Sequence, residues 1–246
     1  MKIIAVFNIK GGVGKTATTV NLAYAASLDK SKVLLADMDP QGASSFYYGI
    51  EREKMGKKIV SGDKPVTEII QTTAFENIDV LPAQQDFRKM DAWLNELKQG
   101  KWLRNLLSPV KKQYDYVILD CPPNITLYSE NILRNADVIL VPVVPTVLSV
   151  RTYKQLIEFC DQEKIDRTRL YPFFSMYESR KWLHNELIER FSRTYKETID
   201  VVIPYNSRIE RMGVYMQPYL HRYPDSDISY LYKQLWKFIK RKLDNN

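Results

Sequence analysis

The 246-residue chain contains only two cysteines, two histidines and nine glycines, and it has no unbroken apolar run of ~18 residues. Lacking such a run, the sequence offers no transmembrane span. Its start, MKIIAVFNIKGG, passes straight from an apolar stretch into a glycine cluster, with no long h-region or cleavage site of a secretory signal. Cys121 and Cys160 lack metal-ligand spacing, which argues against a zinc ribbon or a disulfide scaffold; they read as buried thiols of a cytoplasmic protein. His184 and His221 lie far in sequence from every motif below and are expected at the surface, so no Ser-His-Asp or Cys-His arrangement competes for function. There is no internal repeat or low-complexity tract, and 246 residues at 45 % apolar content suffice for a single well-buried domain spanning 1–246.

Acidic residues are also scarce where basic ones gather. The net charge is +7; residues 180–246 carry 13 Lys/Arg against 8 Asp/Glu, while residues 1–179 carry 23 against 21. A basic excess in the last quarter fits a polyanionic partner, nucleic acid or an anionic membrane, and equally a solvated basic surface.

Apolar runs at Ile3–Phe7, Val33–Ala36, Ile78–Leu81, Tyr116–Leu119, Val138–Val144, Tyr171–Phe174 and Val201–Ile203 are mostly continuous rather than alternating. Strands buried on both faces of a parallel sheet read this way. Helical stretches fall between them at Thr16–Leu28, Phe87–Leu107, Ser129–Arg134, Ser149–Glu163, Leu183–Tyr195 and Ile228–Leu243. The alternation predicts a doubly wound α/β fold, a mostly parallel sheet with helices on both faces, with its ligands at the carboxyl edge of the strands. Residues 49–66, polar and with three glycines and a proline, read as a loop excursion.

Directly behind the first strand lies Lys10-Gly11-Gly12-Val13-Gly14-Lys15-Thr16. Strand, glycine turn and helix start in this order form a phosphate cradle: glycines let successive N–H groups converge, and the helix adds its positive end. Lys15 then reaches β/γ-phosphates, and the Thr16 hydroxyl is placed for Mg²⁺. The usual G-x-x-x-x-G-K-[ST] pattern calls for glycine at position 9, where Ile9 stands, and a second lysine, Lys10, opens the loop. Lys10 is either a solvated loop residue or a second phosphate ligand. The second strand ends in Asp37-Met38-Asp39-Pro40-Gln41-Gly42, two carboxylates at i and i+2, and the Tyr116–Leu119 strand ends in Asp120-Cys121-Pro122-Pro123. Acids at strand ends beside a triphosphate hold Mg²⁺ and its waters or orient the attacking water. Taken alone, Asp-Pro is also a common turn former.

KGGVGKT resembles the deviant Walker A loop of the ParA/MinD family of P-loop ATPases. DMDPQG resembles that family's switch I segment and DCPPN its switch II segment, although Asn124 stands where a small residue is usual. Val141–Thr146, Phe174–Arg180, Ile203–Arg208 and Tyr223–Ser226 resemble later family segments in order, with weak matches at 45–115 and 147–170. The resemblance is greatest to short, Soj-like ParA proteins, no helix-turn-helix extension preceding the loop. It implies ATP and Mg²⁺ as cofactors, ATP hydrolysis, and a nucleotide-sandwich homodimer in which Lys10 reaches the other subunit's phosphates. Lys10, Lys15 and Asp39 are the implied catalytic residues, Asp39 positioning water. Lys10, Gly11, Gly12, Val13, Gly14, Lys15, Thr16 and Ala17 are implied to contact the nucleotide, and Thr16, Asp37 and Asp120 to surround the metal.

The resemblance further implies nonspecific double-stranded DNA binding by the ATP-bound dimer, a nucleoid association, and a ParB-like centromere-binding partner that stimulates hydrolysis. Arg208 matches a family arginine implicated in DNA contact; Arg180, Lys181 and Arg211 lie near it in sequence, and Arg208 paired to Glu210 is the alternative. The rival reading is a MinD-like membrane-associated positioning ATPase. It rests on the last helix, where Ile228, Leu231, Tyr232, Leu235, Trp236, Phe238, Ile239 and Leu243 share one face and lysines line the other. A terminal helix packed on a sheet carries the same pattern, and no tail remains beyond it to serve as a separate anchor. A metabolic P-loop enzyme transferring phosphate to a small acceptor is a third class.

Overall fold

The computed structural model describes residues 1–96 and 101–244. Eight strands, β1 (Lys2–Val6), β2 (Val33–Asp37), β3 (Gln71–Thr72), β4 (Ile78–Leu81), β5 (Tyr116–Asp120), β6 (Val138–Val143), β7 (Leu170–Tyr177) and β8 (Val202–Pro204), form one sheet in the order β3-β4-β2-β5-β1-β6-β7-β8. Every pairing is parallel except β3 with β4, where a two-residue antiparallel strand closes one edge. That strand has no apolar run to announce it. The helices are α1 (Lys15–Leu28), α2 (Ala43–Tyr47), α3 (Gly56–Ser61), α4 (Met90–Glu96), α5 (Trp102–Leu107), α6 (Leu127–Asn135), α7 (Val147–Gln162), α8 (Trp182–Thr194), α9 (Ser207–Glu210), α10 (Met212–Tyr215), α11 (Tyr219–Arg222) and α12 (Asp227–Asp244).

The central strands are buried on both faces because their side chains alternate between two separate cores. Ala5, Leu34, Ala36, Val117, Leu119 and Val141 join one core with Leu103, Ile132, Tyr153 and Phe191 from the helices; Ile4, Val6, Leu35, Ile118 and Leu140 join the other with Leu22, Ala26, Leu235 and Ile239. Continuous apolar runs are the sequence form of this two-sided burial. The apolar face of α12 is spent on the second core: Ile228, Tyr232, Leu235, Trp236, Ile239 and Leu243 are all buried, and Trp236 Nε1 donates to Asp29 Oδ2 at 3.0 Å. The face on which the membrane reading rested is therefore turned inward. No helix among the described residues is long and apolar enough to cross a membrane.

Two sequence expectations are corrected. The 49–66 excursion contains α3, whose Ile59 and Val60 are buried in the first core and whose Gly56 N–H donates to Asp86 Oδ1 at 3.0 Å. One helical turn with two apolar residues is too short to stand out periodically in a polar stretch. The continuous 87–107 helix is instead a 3-10 turn over Gln85–Lys89 followed by α4 and, after residues 97–100, which lie outside the described ones, by α5.

β1 lies at the topological switch point. The chain builds toward β2 and β4 on one side, returns to β5, and then crosses β1 to add β6, β7 and β8 on the other. In such sheets the crevice beyond the strand carboxyl ends at this point receives the ligand.

Candidate functional site

The glycine loop leaves β1 and enters α1 in that crevice. Gly12 (φ 68°) and Gly14 (φ 85°) take left-handed backbone conformations, which glycine adopts without the Cβ clash other residues meet. Gly14 caps α1, and its carbonyl accepts from Thr18 N–H at 2.9 Å, which starts the helix. Two side chains outside the motif brace the loop. Asn8 donates from Nδ2 to the Pro142 carbonyl at 2.8 Å and accepts Lys10 N–H on Oδ1 at 2.9 Å, tying the loop's entry to β6. Ser175 of β7 donates to the Val13 carbonyl at 2.8 Å. Neither was given a role from the sequence: Asn8 falls just outside the loop motif, and Ser175 lies within the Phe174–Arg180 segment with nothing local to mark its partner; a polar residue at the end of an otherwise apolar strand was the available signal.

Lys15 is buried, its ammonium donating to the Lys10 carbonyl at 3.0 Å. Burial lowers its pKa, partly offset by the negative fields of Asp120 and Asp39. The Lys10 ammonium turns the other way and donates to Ser149 Oγ at 3.1 Å, at the start of α7. Thr16 and Ala17 open the helix, half-buried, and line the same cleft as Gly11, Gly12, Gly14 and Asp39. Val13 is buried beneath the loop.

Asp37 and Asp120 are register partners on adjacent strands and are both buried. Asp37 Oδ2 accepts from Ser45 N–H at 2.8 Å and Ser45 Oγ at 2.7 Å, while Oδ1 accepts Asp39 N–H at 3.2 Å. These bonds fasten the switch-like turn and α2 to the end of β2. Burial pushes the Asp37 carboxyl up to about 6 despite them. Asp120 is less well satisfied. Its Oδ1 has a long contact to Thr19 Oγ1 at 3.4 Å, and its Oδ2, like the neighbouring Ser44 Oγ, is buried with no hydrogen-bond partner. Burial, and next the charge of Asp37, push Asp120 up to about 8. Two buried carboxylates, one with an oxygen that accepts no hydrogen bond, form an oxygen donor set that fits a cation. Hard, oxygen-preferring Mg²⁺ suits such donors together with the Thr16 hydroxyl. Cys121, next in sequence, is buried, and burial raises its thiol far from reactivity.

The cleft has a volume of about 400 Å³ and extends from the loop to a far wall formed by Ile203–Asn206, Ile209, Glu210 and Met212, with Tyr47 of α2 along one side. A larger groove of about 1090 Å³ lies elsewhere, between α7 and the chain around Lys196 and Phe238. Its mixed charge and distance from every phosphate-binding element leave the 400 Å³ cleft as the chemical site. In the segments that follow β5 and β6, Ile125, Leu127, Val147 and Leu148 are exposed, the last two at 61 % and 64 %.

The chain's similarity to known proteins agrees with this geometry. Residues 1–170 match a family described as an AAA domain. The chain is 32 % identical to the sporulation initiation inhibitor protein Soj of Bacillus subtilis, covering 97 % of this chain and 98 % of Soj. The chain belongs to the ParA/Soj family of partition ATPases. It is also 30 % identical to the chromosome partitioning protein ParA of Myxococcus xanthus over 88 % of this chain and 80 % of that protein. Among solved structures, Mycobacterium smegmatis cobyrinic acid a,c-diamide synthase with bound ATP analogue and magnesium superposes with a TM-score of 0.81 at 24 % identity, covering 99 % and 96 % of the two chains. At that identity the likeness is one of fold.

The four basic residues singled out for this ParA/Soj-family chain gather at the β7–β8 corner but differ in availability. Lys181 forms an ion pair with Glu178. Arg208 does not pair with Glu210, whose Oε1 instead accepts from Tyr205 Oη at 3.0 Å; its guanidinium stacks 5.3 Å from the Tyr223 ring centroid. Arg180, Arg208 and Arg211 are exposed and have no carboxylate partner among the described residues. Arg190 and Arg193, farther along α8, are paired to Glu186 and Glu189. The expectation for His184 is corrected: it is buried, and Nδ1 accepts Glu178 N–H at 3.2 Å, because α8 folds back over the turn that precedes it. His221 is exposed and hydrogen-bonded to Tyr24 Oη at 2.9 Å.

Proposed function

We propose that this chain is a ParA-type DNA-partition ATPase acting as one unit over residues 1–246. ATP lies with its phosphates in the Lys10–Ala17 loop, and Lys15 neutralises the β/γ oxygens. Thr16 and Asp120 hold Mg²⁺, with Asp37 beside them keeping the turn closed. The bound ion offsets phosphate charge as the terminal phosphoryl group transfers. Asp39, tethered through Oδ1 to Gln41 N–H at 2.9 Å and facing the cleft, orients the attacking water.

The observation that carries the reading is the unpartnered Asp120 Oδ2 beside a buried lysine and a glycine cradle. Structure-building alone leaves no reason to bury an unsatisfied carboxylate there. Two subunits close face to face, burying the exposed Ile125, Leu127, Val147 and Leu148, and each Lys10 leaves Ser149 for the other subunit's phosphates. The closed dimer grips nonspecific double-stranded DNA through Arg208, Arg180 and Arg211, with Lys181 contributing once its pair with Glu178 opens. A ParB-like centromere-binding protein stimulates hydrolysis, which opens the dimer and releases DNA in the cytoplasm.

The test compares duplex DNA and anionic liposomes as partners for one preparation, with Mg²⁺-ATP and with Mg²⁺-ADP. DNA retention with ATP only is expected. Liposome retention without DNA retention would replace this reading with the membrane one.

A further inference from the structure

The far wall of the cleft carries polar groups that the phosphate chemistry does not use. Tyr205, Asn206 and Glu210 follow β8, and all three line the cleft that begins at the glycine loop. Their hydrogen bonds leave a defined remainder. Asn206 Oδ1 is committed to Arg208 N–H at 2.8 Å, which fixes the amide so that Nδ2, a donor, is the group left over. Glu210 Oε1 is committed to Tyr205 Oη, which leaves Oε2, an acceptor. The lining around them is apolar: Ile203, Pro204, Ile209 and Met212. One leftover donor and one leftover acceptor on residues of the same cleft, with apolar side chains lining it too, suit a flat heteroaromatic ring that offers an acceptor and a donor along one edge.

We propose that Glu210 and Asn206 read the purine base of the bound nucleotide, with Glu210 Oε2 accepting from the exocyclic 6-amino group and Asn206 Nδ2 donating to a ring nitrogen. The assignment rests on a nucleoside triphosphate occupying the glycine loop. Adenine presents N7 as acceptor and N6–H₂ as donor on one edge, whereas guanine presents N7 and O6, both acceptors. A carboxylate facing O6 meets a like-signed oxygen with no proton between them, so guanine is rejected by repulsion as well as by a lost bond. Tyr205 is the positioning residue: its hydroxyl holds the carboxylate in one orientation and leaves the second oxygen for the base.

Binding of ATP, GTP and purine riboside 5′-triphosphate, which is ATP without the 6-amino group, is measured for wild type, Glu210→Ala and Glu210→Gln. Glu210 is exposed, so both variants are expected to fold. Wild type should bind ATP about tenfold or more tightly than either analogue, the scale of a hydrogen bond to a charged group. Glu210→Ala should lower ATP affinity to that of purine riboside triphosphate while leaving the latter unchanged. Glu210→Gln, whose amide can also donate to O6, should narrow the preference of ATP over GTP.

Equal losses for ATP and purine riboside triphosphate in Glu210→Ala would overturn the assignment while leaving the phosphate-loop reading intact. A loss seen with ATP but absent with 2′-deoxy-ATP would also overturn it, moving Glu210 to the ribose. Failure of wild type to bind any of the triphosphates would remove the phosphate-loop reading and this assignment with it.

Discussion

At the scale of single residues, the site is built from polar atoms that the fold leaves waiting. Asp120 carries the clearest case, a buried carboxylate pushed up to about 8 with Oδ2 unpartnered. Burial and the Asp37 charge both favour its neutral form, and Asp120→Asn places a neutral group of similar shape there. The melting temperature of the metal-free variant should stay within a few degrees of wild type, as for a substitution that creates neither cavity nor buried charge. ATP at ~100 times its Kd should stabilise wild type by about 2.7 kcal/mol, and adding Mg²⁺ should increase the shift in wild type only. An undiminished Mg²⁺ effect in the variant would remove Asp120 from the metal's ligands. Asp39→Ala should bind ATP normally and lose hydrolysis by about 100-fold or more in a phosphate-release assay; wild-type turnover would exclude Asp39 as the water-orienting group.

The legibility of these residues followed their chemistry. Lys15, Thr16, Asp37 and Asp120 were readable because a strand ending in an acid or a glycine turn is a local pattern. Asn8, Ser149 and Ser175 were not, because a small polar residue acquires meaning through a partner that lies a hundred or more positions away in the chain, as Ser175 does with Val13.

At the scale of elements, seven of the eight strands were legible because burial on both faces imposes apolar runs, although β7 runs three residues past its predicted end at Phe174. Elements that depend on tertiary contacts were not. β3 exists through its pairing with β4 and α3 through the burial of Ile59 and Val60, and the 87–107 region opens on a 3-10 turn rather than an α-helix. The turn from β7 into α8 was misjudged at His184, whose ring is part of its scaffold. Burial and the neighbouring Lys181 charge lower the His184 pKa, with Glu178 opposing them. The folded state thus resists a proton that the unfolded state accepts, so this contribution is present above the unfolded pKa of about 6.5 and is lost as pH falls through it. Protonation also removes the acceptor for Glu178 N–H. His184→Asn supplies an acceptor without titrating there. The difference in melting temperature between wild type and this variant should shift against wild type between pH 7 and pH 5, and a pH-independent difference would contradict this role.

At the scale of the whole molecule, two features face outward: the exposed apolar residues that follow β5 and β6, and the arginines at the β7–β8 corner, which have no carboxylate partner among the described residues. The sequence pointed to a basic last quarter but could not separate paired charges from available ones, because pairing depends on helix phase and on contacts such as Arg208 with Tyr223. In the proposed dimer, doubling the available arginines should give a steep dependence of DNA affinity on salt. Arg208→Ala should weaken ATP-dependent DNA binding and reduce the slope of log K against log salt by about two per dimer, one for each copy. Light scattering should still detect the ATP dimer. An unchanged slope would place the DNA surface elsewhere.

The bond from Lys10 to Ser149 bears on how an isolated subunit behaves when fuel is plentiful. If Lys10 acts across the dimer as proposed, a solitary copy with this ammonium parked on α7 should idle. Specific turnover then becomes a question of crowding: it should climb as protein concentration is raised at fixed ATP, and Lys10→Ala should flatten that climb. Local density, such as many copies collected on one surface, would thereby become the throttle.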